Sequence, residues 1–195
     1  MMSRYCYVIG LSILVGTLTG CQILPKAQGL PNRMQLEQQQ LLSEQQAEIL
    51  WRDQSFSFLL YQKQQSNYLQ VLALSISGQV LFELHYDGKK VQVIQRIPEM
   101  KYLPFDFLLR DILWATLPVQ QVRQDVEPLG LQVLAQQHDQ QDIREIQQQS
   151  QTKMQTKTLL RVIHHIHPQQ GIQIENFVVP YRMILTPASA SFFAE

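Results

Sequence analysis

Over residues 56–93, and again over 131–185, apolar side chains recur at every second position, a rhythm that commits most of the chain to β-sheet with one apolar face. Val80, Phe82, Leu84 and Tyr86 alternate with Leu81, Glu83 and His85, and Val91 and Val93 alternate with Lys90 and Gln92. In the segment before them, Leu72, Leu74 and Ile76 share one phase. Asp87-Gly88-Lys89-Lys90 has the chemistry of a hairpin turn, since Asp-Gly tolerates the left-handed conformation that such turns need. Ser77-Gly78 marks a second turn. Further strands are expected at 131–136, 143–148, 158–166, 171–179 and 181–185.

The alternation breaks once, over 104–117. There Phe105, Leu108, Leu109, Ile112, Leu113 and Thr116 fall on one helical stripe, with Arg110 and Asp111 off it. Phe107 and Trp114 lie two turns apart on a flanking face. Pro118 restarts a short helix that runs to about residue 124. Residues 34–51 are polar with scattered Leu41, Leu42, Ile49, Leu50 and Trp51; their Ala, Glu, Gln and Leu favour an amphipathic helix. A helix, four strands, a helical hairpin and four or five more strands make an α+β fold that is mainly β. Short links favour antiparallel order, so the expectation is an open, curled antiparallel sheet with helices over its apolar concave face.

Ahead of this domain stands a different kind of segment. One Arg, a short apolar run from Val8 to Gly16, and Leu18-Thr19-Gly20 before Cys21 have the layout of a secretory signal. The run is too short to span a bilayer comfortably. Leu-Thr-Gly-Cys resembles the lipobox of bacterial lipoproteins, which implies cleavage before Cys21 and acylation of its thiol. Cys6 would leave with the signal, so neither cysteine remains for a disulfide. The expected organisation is a signal over 1–20, a lipidated tether over 21–33, one domain over 34–187 and a tail over 188–195. By the same resemblance, Gln22 after the cysteine implies sorting to the outer membrane, with the domain on the periplasmic face. The partners so implied are the lipoprotein processing and sorting machinery and the membrane itself.

Charge narrows the function classes. Sixteen basic and sixteen acidic residues give a formal net charge of zero, which leaves no electrostatic footprint for nucleic acid. Surface polarity comes from neutral Gln, as in Gln147-Gln148-Gln149. The sequence holds no nucleophile elbow, phosphate loop or dinucleotide glycine pattern, and an enzyme is not expected. Asp106, Asp111 and Glu99 are the acid–base candidates; two carboxylates near a helix start are more simply explained by the helix dipole. His164-His165-Ile166-His167 is the metal candidate, against its reading as a polar strand end before Pro168. Neither metal nor cofactor is expected.

Three stretches together point to a family. Gly78-Gln79-Val80-Leu81-Phe82-Glu83-Leu84-His85-Tyr86-Asp87-Gly88, the helical residues 108–118 and the closing residues 177–187 resemble the DUF3261 family of lipoproteins. That family is associated with aryl polyene biosynthesis and is similar to LolA/LolB-type lipoprotein carriers. The resemblance implies an open antiparallel barrel around an apolar cavity for acyl chains. The lining would come from Leu72, Leu74, Val80, Phe82, Leu84, Val91 and Val93 on strands, and from Leu108, Leu109, Ile112 and Trp114 on a helix acting as lid. It implies a non-enzymatic outer-membrane protein that binds or transfers an acylated or otherwise hydrophobic product. In the second reading the same residues make a filled core, and the protein is a non-catalytic envelope assembly partner. One departure stands out: LolB-like insertion goes with an apolar residue on a protruding loop, whereas the Asp87–Lys90 turn is tight and polar.

Overall fold

The computed structural model describes residues 27–32, 42–138, 140–149 and 156–188. The signal, Cys21, Gln22, the start of the tether and most of the C-terminal tail lie outside these. Ten strands and two helices follow: β1 (Leu42–Trp51), β2 (Gln54–Gln64), β3 (Leu69–Leu74), β4 (Val80–Tyr86), β5 (Val91–Arg96), α1 (Phe105–Thr116), α2 (Val119–Val126), β6 (Leu131–His138), β7 (Gln141–Gln149), β8 (Thr156–His165), β9 (Ile172–Asn176) and β10 (Tyr181–Pro187). The strands form a single sheet in the order β5-β4-β3-β2-β1-β10-β9-β8-β7-β6, and each neighbouring pair is antiparallel. The sheet is not closed; β5 and β6 are its two edges.

Chain order explains where the helices go. The first meander walks outward from β1 to the edge β5, and the second walks inward from the edge β6 to β10, where it meets β1. The helical hairpin must therefore carry the chain from one edge to the other. α1 crosses the apolar face, and ten of its twelve residues are buried. It touches both halves of the sheet. The Phe105 ring lies 5.0 Å from that of Phe82 on β4, and Asp111 meets Asn176 on β9 and Tyr181 on β10. Leu117 adopts an extended conformation before Pro118, as residues preceding proline do, and so separates the two helices.

The inward face is set by register. Leu69, Val71 and Ala73 pair with Tyr86, Leu84 and Phe82, and all six are buried. The Asp87 turn forms as expected: one Asp87 carboxylate oxygen accepts the backbone N–H of Lys89 and of Lys90, each at 2.9 Å, with Gly88 at φ +88°.

Two expectations need correction. Residues 42–51 are strand β1, not part of a helix, and the rest of that expected helix, 34–41, lies outside the described residues. The helix-favouring composition of β1 is overridden by ladders on both sides, from Leu42↔Lys63 to Trp51↔Gln54 with β2 and from Gln45↔Pro187 to Trp51↔Tyr181 with β10. Residues 27–32 of the expected tether are packed into the domain. Ala27 joins the core, and the hydroxyl of Tyr86 donates to the Pro31 carbonyl at 2.7 Å.

Candidate functional site

Of the residues expected to line a cavity, Phe82, Leu84, Leu108, Leu109, Ile112 and Trp114 are brought together, all buried, around α1. Val80 and Val91 are partly buried near the sheet edge, with Val91 packed against the core. Leu72 and Leu74 are not on this face. Their strand holds two apolar phases, and it is Leu69, Val71 and Ala73 that turn inward, leaving Leu72 and Leu74 half-buried on the outside. Val93 on the edge strand is 38% exposed. α1 itself fills the space that a cavity would need. A helix buried on nearly every side is a core element more than a surface lid.

Polar bonds hold it there. The Asp111 carboxylate is fully buried; one oxygen accepts from Arg110 Nε at 2.8 Å and Nη2 at 2.7 Å. Its other oxygen accepts from Asn176 Nδ2 at 2.5 Å and from the Tyr181 hydroxyl. Burial pushes the Asp111 carboxyl up, against the pull of Arg110 and the two other donors. Burial, then the neighbouring carboxylate, pushes the Tyr181 phenol well up, so it stays protonated and donates. Asn176 in turn accepts the backbone N–H of Val178 and Val179, which ties the β9–β10 turn to the same cluster. The sequence carried a signal for this cluster in Arg110-Asp111, two adjacent charges inside an otherwise apolar helix. They stand off the main stripe, and here both faces of the helix are covered.

On its other flank α1 meets the incoming chain. Trp114 Nε1 donates to the Gly29 carbonyl at 2.9 Å, and the Arg110 guanidinium stacks 4.6 Å from the Phe107 ring and 4.4 Å from the Trp114 ring. Gly29 has φ +78°, and a Cβ there would fall 2.6 Å from the Trp114 ring, so only glycine allows this approach. Beside it opens a cleft of about 290 Å³. Phe107, Trp114, Leu129, Leu131, Leu159 and Val178 give it apolar walls, and Arg110, Lys157, Gln28 and Gln148 give it polar ones. An apolar concavity with a few polar groups to one side suits a hydrophobic molecule that carries a polar end. This cleft was not foreseen beyond Trp114, because half its wall comes from β6, β7 and β8 and from the segment before β1.

The remaining candidates disperse. His164 points inward on β8 with Leu160 and Val162, His165 lies beside Gln141, and His167 is exposed beyond the strand. Among the described residues no three His, Cys, Asp or Glu side chains converge as metal ligands. Glu99 is exposed before α1. Among the described residues no helix is long and apolar enough to cross a membrane.

The family model described as "Protein of unknown function (DUF3261)" matches residues 42–189, which takes in all ten strands and both helices. Among curated proteins, none matches this chain.

Proposed function

The chain belongs to the DUF3261 family, and from that premise we propose that it is a lipid-anchored outer-membrane protein, non-enzymatic, that holds an acylated or otherwise hydrophobic molecule in the cleft over Phe107 and Trp114. The observation that carries this reading is the cleft's position. Gln28 in its wall follows Cys21 by seven residues, and a fully extended chain advances at most about 3.6 Å per residue. Whatever path the chain takes, the cleft then lies within about 25 Å of the acyl anchor, on the order of one bilayer leaflet and its headgroups. A hydrophobic cargo could pass between membrane and protein over that distance without crossing bulk water. Apolar contact would hold its chain and Lys157 an anionic end. The open antiparallel sheet supports the reading, since the resemblance to LolA/LolB-type carriers implies an unclosed antiparallel barrel, though with a helical lid around an apolar cavity. The site differs from the expected one: α1 is the floor of the cleft, not a lid over an interior void.

The test uses the full chain made in its own envelope. Palmitate label should enter the protein and be lost in Cys21→Ser, which should also leave the outer-membrane fraction. Native mass spectrometry of the extracted wild-type chain should then show one non-covalent hydrophobic adduct per chain. A labelled chain without any such adduct would favour the second reading, a filled-core assembly partner. The observation on that side is the depth of α1, whose Asp111 cluster resists withdrawal from the sheet.

A further inference from the structure

The two ends of the sheet differ in what they expose. Antiparallel order sends the β1–β2, β3–β4 and β9–β10 turns and the link from β5 to α1 out at one end, and the β2–β3, β4–β5 and β8–β9 links out at the other. The second end is polar, with Asp87, Lys89 and Lys90 on one turn; among the described residues its exposed large apolar side chains are Leu42 and Ile166. The first end carries Ile76, 73% exposed, Tyr102, 65% exposed, and the exposed pair Phe177 and Val178, on three separate connections.

These connections do not need apolar tips. In the β3–β4 turn the Ser75 N–H donates to the Gln79 carbonyl at 2.8 Å, the Gly78 N–H to the Ser75 carbonyl at 2.9 Å and the Gln79 N–H to Ser75 Oγ at 3.0 Å. The turn closes on its own polar atoms, and Ile76 stands outside them, where Asn, Asp, Ser or Gly is usual. Tyr102 is carried outward between Met100 and Leu103, both buried, and the Lys101 ammonium lies 5.5 Å from the centre of its ring. Asn176 ties the β9–β10 turn from within, and Phe177 and Val178 remain outside. The path of the chain leads to the same end. Pro31 is held by Tyr86, at the far end of β4, whereas Gln28 lines the cleft over Trp114 with Gln148, Lys157 and Val178, at the apolar end. Followed backward, the chain heads for the apolar end, with Cys21 seven residues before Gln28.

We propose that this end of the sheet is a membrane-docking surface, with Ile76, Tyr102, Phe177 and Val178 entering the boundary between headgroups and acyl chains of a lipid bilayer. The inference rests on the acyl anchor at Cys21 proposed above and adds an orientation to it. Tyr102 beside Lys101 has the chemistry of that boundary, a mostly apolar ring with a polar tip and a cation for phosphate oxygens. Charges at this end nearly cancel, Arg52, Lys101 and Lys157 against Asp53 and Glu99, so the contact is apolar first and does not depend on anionic lipid. Such small tips bind a bilayer weakly by themselves. An acyl anchor makes their contact intramolecular, and weak tips then suffice. Val178 belongs to the cleft wall as well, so the cleft over Trp114 borders the docking surface.

The test uses the full palmitoylated chain in nanodiscs of phosphatidylethanolamine and phosphatidylglycerol. With Cys6 removed and Cys21 acylated, a single new cysteine takes a fluorophore selectively: Ser77→Cys, beside Ile76, or Lys89→Cys, at the polar end. A nitroxide carried on lipid just below the headgroup should quench the probe at position 77 and leave that at position 89 bright, and raised salt should not change this. Ile76→Asn with Tyr102→Asn, added to Ser77→Cys, should remove most of the quenching while palmitate stays. An anchored chain in which both probes or neither are quenched, or in which the double substitution or raised salt gives the opposite result, overturns the docking surface alone. A probe at position 77 that is shielded from aqueous iodide but not quenched by the lipid nitroxide marks a protein partner there and overturns it too. A chain without palmitate that leaves the nanodiscs overturns the anchor, and this inference with it.

Discussion

Asp111 has no exposure to solvent and meets three donors from three elements, so its removal strands the Arg110 charge in the interior. Asp111→Ala should destabilise the fold by about 3–5 kcal/mol in urea unfolding, the range for breaking one side of a buried ion pair. Tyr181→Phe removes a single donor and should cost less, about 1–3 kcal/mol. His164 gives a pH dependence. Its folded-state pKa lies below the ordinary 6.5 because of burial first and Arg144 second, with Asp142 and the Ala115 carbonyl opposing. The stability that comes from a neutral His164 is complete above 6.5 and is lost as pH falls toward the lowered value. The thermal midpoint should therefore drop between about pH 7 and about pH 5, and drop less in His164→Gln. At this scale the sequence was legible where one phase alone is apolar, as for Phe82 and Leu84 against Glu83 and His85. It was not legible at Leu72 and Leu74, where both phases are apolar and only pairing with β4 decides which turns inward.

The helix α1 and the segment 27–32 act as one unit through Trp114, Gly29, Arg110 and Gln28. Gly29→Ala should separate them, since the residue is at positive φ and its new methyl would overlap the Trp114 ring. Followed by emission from Trp114 in a Trp51→Phe background, this variant should show a red shift and greater quenching by iodide, with α1 still folded. An unchanged spectrum would mean that the strap contributes nothing to the cover on Trp114. The helical hairpin was readable because residues 105–116 keep a helical period for three turns with a proline just before and just after them. Strand β1 was not, because its alternation of Ala47, Ile49 and Trp51 with Glu48 is short, is interrupted by exposed Leu50, and is preceded by helix-favouring Gln and Glu. What makes it a strand is the closing of two meanders upon it, a contact between residues far apart in sequence.

An open sheet leaves two edges, and here they are the first and last of ten strands, with one buried helix between the halves. Both edges mix polar and apolar side chains: β5 exposes Gln92, Gln95 and Arg96 beside Val93 and Ile94, and β6 exposes Gln132, Gln136 and Gln137 beside Leu134. The open, helix-filled sheet was legible from the sequence as an architecture, because alternation, turns and one helical interruption suffice to specify it. The cleft was not legible, since its walls come from α1, three strands, the β9–β10 turn and the segment before β1. The cleft over Trp114 lies beside the segment that leads back toward Cys21. In the proposed function it lies within about 25 Å of the acyl anchor. Its occupancy can be measured through Trp114, the one tryptophan left in Trp51→Phe. With that full-length variant in nanodiscs, titration with dibromostearate should quench Trp114 emission to a plateau at one acid per chain, and Lys157→Glu should shift the titration to higher concentration. Quenching that rises in proportion to the acid loaded in the bilayer, without a plateau, or no quenching at all, would contradict the assignment of this cleft to a hydrophobic cargo.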